Sequence, residues 1–179
     1  DEVTEGVRAK AFELADYGIT TITKRVEFDA DTQLLAMEEL LQEGIHGLML
    51  APYNDRKIQE KINELMALQI PVVTVNTDID GSKRMAYVGS DYFRGGCIAA
   101  GLFALMTQGA VHLGIITGSD NILCHTKRIE GLCHTLKESY PHIQISAVLE
   151  NHDDEFESYT LTKRLLMEHP EINALFFAA

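Results

Sequence analysis

Cys124, His125, Cys133 and His134 are the most reactive side chains that this sequence gathers in one stretch. Thiols and imidazoles together can bind zinc or activate a nucleophile. Their spacing suits neither task. It matches no zinc module, and Cys133 and His134 are neighbours that a helix points to different sides. The stretch GSDYFRGG, Gly89–Gly96, raises the possibility of a phosphate loop. A dinucleotide loop needs GxGxxG so that backbone can approach the pyrophosphate. Here the glycines stand at 89, 95 and 96. Asp91 would repel phosphate, but it makes a good helix N-cap. The stretch therefore reads as a strand end, a cap, and two small residues where a helix packs closely on a neighbour. The acidic run Asp153, Asp154, Glu155 lacks the alternating ligands and turn glycine of a calcium loop, and negative charge before a helix is favoured anyway. No GxSxG, HExxH or GxxxxGK[ST] occurs. The expectation is a protein with no metal, no cofactor and no nucleophilic centre.

The bulk composition narrows the partners. The chain has 179 residues, 46% of them hydrophobic, and a formal charge of −12. An acidic surface repels phosphate backbones, so this chain should not hold nucleic acid by itself. It has no long basic run and no uninterrupted apolar stretch of membrane-spanning length. Cys97, Cys124 and Cys133 make an odd number with no CxxC spacing, which fits a reducing cytosol better than a disulfide framework.

The elements that must position any site alternate. Helical stripes run over 2–17, closed by Gly18, and over 31–43, 56–69, 91–107, 126–139 and 156–168. Apolar, β-branched runs at 19–23, 46–52, 71–76, 111–117, 142–150 and 172–178 read as strands. Strands separated by helices of this length give βαβ units and parallel sheets with helices on both faces. In such sheets ligands sit beyond the carboxyl ends of the strands. Those positions are Lys24–Asp31, Tyr53–Asp55, Asn76–Asp80, Gly118–Asn121 and Asn151–Glu155. They offer amides, hydroxyls and carboxylates with few positive charges, a lining for a neutral polyhydroxy ligand. Asn76 can donate and accept at one hydroxyl pair, or it can satisfy its own turn. Thr77 and Asp78 follow it, and Asn121 ends the 118–120 loop.

The run PVVTVNTDIDGSKRMAYVGSDYFRGGCIAAGLFAL, Pro71–Leu105, resembles the middle of the lac-repressor family and its relatives, the bacterial periplasmic sugar-binding proteins. HTKRIEGLCHTL, His125–Leu136, is similar to their R-x-x-G helix, and Glu150–Ala178 to the strand–loop–helix–strand that follows. The resemblance implies an α/β fold of two doubly wound parallel-sheet lobes, here 1–88 and 89–179, with the ligand in the cleft. Gly89, Ser90 and Asp91 would form the first hinge crossing. By the same resemblance Arg128 points into the cleft, and Phe156 stands where an aromatic stacks on the sugar ring, unless it is simply the first core residue of its helix. The neutral Asn76–Thr77 pair departs from the acid and arginine common in sugar-binding relatives. The family's first strand precedes Glu2 and its chain continues past Ala179, so the sequence is expected to be incomplete at both ends.

The resemblance implies a cytoplasmic transcription regulator. It would sense a sugar and couple it to DNA through a head absent from this chain, working as a homodimer. The alternative is a periplasmic or lipid-anchored sugar-binding protein of a transporter. Sugar chemistry through cleft carboxylates such as Asp78 or Asp120 stays open as a third reading.

Overall fold

The computed structural model describes residues 2–27, 29–107 and 110–178. Phe28, inside the expected 24–31 loop, lies outside them, as do Asp1 and Ala179. The chain divides into two compact units, Asp1–Ile45 and His46–Ala179. The first holds helix α1 (Glu2–Glu13), a short 3-10 turn (Ala15–Tyr17) and helix α2 (Ala30–Gln42). Gly18 closes the turn with a φ of 76°, a conformation that costs glycine little. Lys24 pairs with Glu39 and Glu43 of the α2 end, at 2.7 and 3.0 Å. Ile19–Thr23, expected as a strand, is not one. Its β-branched side chains suit a pleat, but a strand needs a neighbour to take its N–H and C=O groups, and the segment has no ladder partner among the described residues.

The second unit builds two parallel sheets. The first has the order β1-β2-β3, from β1 (Leu48–Leu50), β2 (Val72–Val75) and β3 (Ala86–Val88). β3 is the strand whose end the reading of GSDYFRGG implied, although no bounds were given for it. Helix α3 (Arg56–Ala67) buries Ile58, Ile62 and Leu65, one face at helical spacing, and packs on β2. The second sheet has the order β5-β4-β6, from β4 (Val111–Thr117), β5 (Ile143–Glu150) and β6 (Ala174–Phe177). β4 is central and nearly continuous in buried apolar residues, as a strand covered on both faces must be. Helices α4 (Tyr92–Met106) and α5 (Leu123–Ser139) cover one face through Ala100, Leu132 and Leu136 against Val111, Leu113 and Ile115. Helix α6 (Glu155–Glu168) covers the other through Leu161 and Leu165 against Ile116. The expected lobe boundary at 88/89 falls within this unit, between β3 and α4, where the chain leaves one sheet for the other. Among the described residues no helix is long and apolar enough to cross a membrane.

α4 and α5 meet backbone to backbone. A methyl group at Gly96 would sit 1.9 Å from the Arg128 carbonyl oxygen, and one at Gly131 would sit 1.9 Å from the Phe93 carbonyl oxygen. The two glycines thus let each helix seat against the other's main chain, the close approach expected for GSDYFRGG. Gly95 meets nothing within 4 Å, so only the second glycine of the pair is required. Gly96→Ala or Gly131→Ala should destabilise the protein by about 1–3 kcal/mol, the usual cost of overpacking. Gly95→Ala should be neutral or slightly stabilising, because alanine favours an exposed helix. Denaturant midpoints of the three variants test this, and equal stability at positions 95, 96 and 131 would contradict it.

Candidate functional site

A cavity of about 410 Å³ lies between the segments that follow β2 and β3 and the first turns of α4 and α5. Asp78, Asp80, Tyr92, Phe93, Cys124 and Lys127 line it, together with the whole expected hinge, Gly89, Ser90 and Asp91. Asp91 caps α4 by accepting from the Arg94 N–H at 2.9 Å, the role its position predicted. Tyr87 folds over Gly89, where a Cβ would lie 2.1 Å from the phenol oxygen. That hydroxyl lies 3.0 Å from the carbonyls of both Asn76 and Ser90, so the strand end and the hinge compete for one donor.

Asn76 follows β2 directly, with φ at 63°. Asparagine tolerates this left-handed conformation better than other residues with a Cβ. Its N–H donates to the Val88 carbonyl at 3.1 Å. Its side-chain oxygen accepts from the Tyr92 hydroxyl at 3.0 Å. The Tyr92 ring lies under the Arg128 guanidinium, 5.0 Å from carbon to centroid. Arg128 in turn donates to the Ala178 carbonyl just beyond β6. One polar chain, Asn76–Tyr92–Arg128–Ala178, therefore links the β2 end to the β6 end.

The other expected residues have different placements. Thr77 is buried and its hydroxyl accepts from the Cys124 N–H at 3.4 Å. It supplies the start of α5 with an acceptor from the opposite sheet, where Ile122 offers no side-chain cap. The helix accordingly begins at Leu123, three residues before the expected start, and takes in Cys124 and His125. Asp78 accepts from the Thr74 hydroxyl at 2.7 Å and pairs with Arg84. The Asn121 carbonyl accepts from the Asn54 N–H at 2.9 Å, which joins the loops after β1 and β4. Phe156 stands exposed in the first turn of α6, away from the cavity lining. Asp78 lines the cavity, Asn76 and Arg128 meet at Tyr92 on its wall, and Phe156 shares none of these contacts. The acidic run is occupied by backbone: Asp153 accepts from the Ser119 N–H at 3.0 Å, and Asp154 caps α6.

Tyr92, Tyr87, Lys127 and Cys124 were not expected as site residues. Tyr92 had a readable signal, since it follows the N-cap Asp91 directly and so opens a helix at the cavity. Burial pushes the Tyr87 phenol up to about 12 and raises Tyr92 as well. Both stay neutral hydrogen-bonding groups at neutral pH. Burial likewise raises the Cys124 thiol, the direction opposite to that of an activated nucleophile. Lys127 bridges to Asp80 at 3.7 Å and to Glu130 at 3.1 Å. The arrangement presents neutral donors and acceptors beside paired charges, which suits hydroxyl groups better than a phosphate.

The model of the periplasmic binding protein domain matches residues 1–179. The chain belongs to that family. It is 24% identical over 159 residues to the ribose import binding protein RbsB of Bacillus subtilis (strain 168), covering 89% of this chain and 51% of that protein. Among solved structures it resembles GanP, a glucose-galactose binding protein from Geobacillus stearothermophilus, with a TM-score of 0.77 and 28% identity over 83% of this chain and 53% of that one. The fold also matches a carbohydrate transporter solute binding protein from Agrobacterium radiobacter in complex with D-arabinose. There the TM-score is 0.83 and the identity 19%, covering 99% of this chain and 62% of that one. The chain thus spans about half the length of the curated relative it matches. The periplasmic binding protein fold agrees with the parallel-sheet architecture read from the sequence.

Asn76 carries both backbone and side-chain roles, and two substitutions separate them. Asn76→Gly keeps the left-handed turn and loses the amide, whereas Asn76→Ala loses both. Alanine should be less stable than glycine by about 1 kcal/mol, the cost of the left-handed conformation for a residue with a Cβ. Thermal unfolding checks the order, and an alanine variant as stable as the glycine variant would contradict it.

Proposed function

We propose that this periplasmic binding protein domain recognises a neutral sugar for a membrane transporter, binding it without chemical conversion. The observation that carries the reading is the Asn76–Tyr92–Arg128 chain at the carboxyl ends of two parallel sheets. It offers neutral and fixed cationic donors to hydroxyl groups at the position where such folds take ligands. Relatives described as ribose import, glucose-galactose binding and D-arabinose-bound proteins support a sugar. They favour the transporter-linked reading over the DNA-coupled regulator that the sequence first suggested. Binding without conversion is supported by the raised Cys124 thiol and by the pairing of Asp78 with Arg84.

A second reading keeps the regulator, a cytosolic homodimer joined to a DNA-binding head. Its support is the set of three free thiols, Cys97, Cys124 and Cys133. Cell fractionation separates the two. A transporter-linked protein is recovered outside the cytoplasmic membrane, a regulator inside it.

The direct test is a thermal-shift screen of the complete protein against D-ribose, D-galactose, D-glucose, L-arabinose and ribose 5-phosphate. A ligand at a hundred-fold excess over its Kd stabilises the folded state by about 2.7 kcal/mol. One neutral sugar should raise Tm by several degrees, ribose 5-phosphate should not, and Arg128→Ala should abolish the shift. A panel without any shift would overturn the sugar reading.

A further inference from the structure

We infer that Tyr92 is a ligand-contacting residue that selects for a vicinal diol on the bound sugar. This rests on the sugar-binding reading above and assigns the site a residue that no sequence motif names. Tyr92 lines the cavity, partly exposed, at the first position of α4. Its hydroxyl is already a donor to the Asn76 side-chain oxygen at 3.0 Å. A phenol has one proton, so towards the cavity its oxygen can only accept. Asn76 keeps its amide N–H groups and Arg128 keeps the guanidinium donors not given to Ala178. One cavity-lining acceptor thus has an amide bonded to its hydroxyl and a guanidinium stacked on its ring. A vicinal diol matches that set, because one hydroxyl can donate to Tyr92 and accept from Arg128 while the other accepts from Asn76.

The ring is held for this task. Arg128 covers one face at 5.0 Å, and the glycine crossing of α4 and α5 fixes the two elements that carry them. Burial keeps the phenol protonated, so its donation to Asn76 persists through the neutral range. Asp78, Asp80 and Asp91 line the same cavity and disfavour an anionic ligand. Phe156, the aromatic expected to meet the sugar, is exposed elsewhere. Tyr92 is the aromatic joined to both Asn76 and Arg128.

The test is titration calorimetry of the complete protein with D-ribose, D-galactose and L-arabinose, and with 2-deoxy-D-ribose and 2-deoxy-D-galactose. Tyr92→Phe should weaken the best sugar about ten-fold, the worth of one good hydrogen bond. It should also narrow the preference of the wild type for the sugar over its 2-deoxy analogue, since the acceptor that reads the hydroxyl is gone. Tyr92→Ala should weaken binding about a hundred-fold through loss of the ring as well. A near-ultraviolet difference spectrum, sugar-bound minus free, reads the tyrosine signal. The sugar-induced change in that signal should shrink in Tyr92→Phe. If Tyr92→Ala does not fold, Tyr92→Phe decides alone. Wild-type affinity and unchanged deoxy-sugar discrimination in Tyr92→Phe, with binding still lost in Arg128→Ala, would overturn this inference and leave the sugar reading standing. Failure of the wild type to bind any of these sugars would overturn both.

Discussion

The contact between the α4 and α5 main chains is the constraint on which the site depends. Two helices normally keep their axes apart by the depth of their side chains. At Gly96 and Gly131 that depth is zero, and each helix rests on a carbonyl of the other. The first turn of α4 follows the hinge, and the first turns of α5 follow the central strand β4. Locking these starts together places Tyr92 against Arg128 and puts the hinge residues on the same cavity. A side chain at either glycine would separate Tyr92 from Arg128, the groups of the proposed site, without itself reaching the cavity lining.

A second layer of contacts links the two sheets of the larger unit. The Thr77 hydroxyl accepts from the start of α5, the Asn121 carbonyl from Asn54, and Lys127 faces Asp80. These bonds cross from one sheet to the other. Tyr87 adds a strand-to-hinge link through one shared proton. A ligand shifts the balance of such states only by binding one arrangement better than another. The Asn76–Tyr92–Arg128 chain can supply that preference, since its polar groups join both sheet ends.

Much of this was legible in the sequence. The period switch between apolar helix stripes and β-branched runs located most elements, and the spacing of Gly89, Gly95 and Gly96 excluded a phosphate loop in favour of a capped, closely packed helix. Asn76 was reachable from its place beyond a strand end, and Arg128 only through the family resemblance. What stayed hidden depended on tertiary partners. Ile19–Thr23 has strand composition, yet composition cannot supply a pairing neighbour. Thr77 looked like a ligand-facing hydroxyl, but its acceptor serves a helix start 47 residues away, which also moved the α5 boundary. The cap before it placed Tyr92 at a helix start, but nothing local reports that Arg128 and Asn76 converge on it.

The most direct measurement is the sugar affinity of Gly131→Ala, by titration calorimetry well below its melting temperature, with the neutral sugar that stabilises the wild type most. Gly131→Ala should fold and its affinity should fall at least ten-fold, because Tyr92 and Arg128 no longer hold their spacing, while Gly95→Ala binds like the wild type. Unchanged affinity in folded Gly131→Ala would contradict the claim that the glycine crossing builds the site.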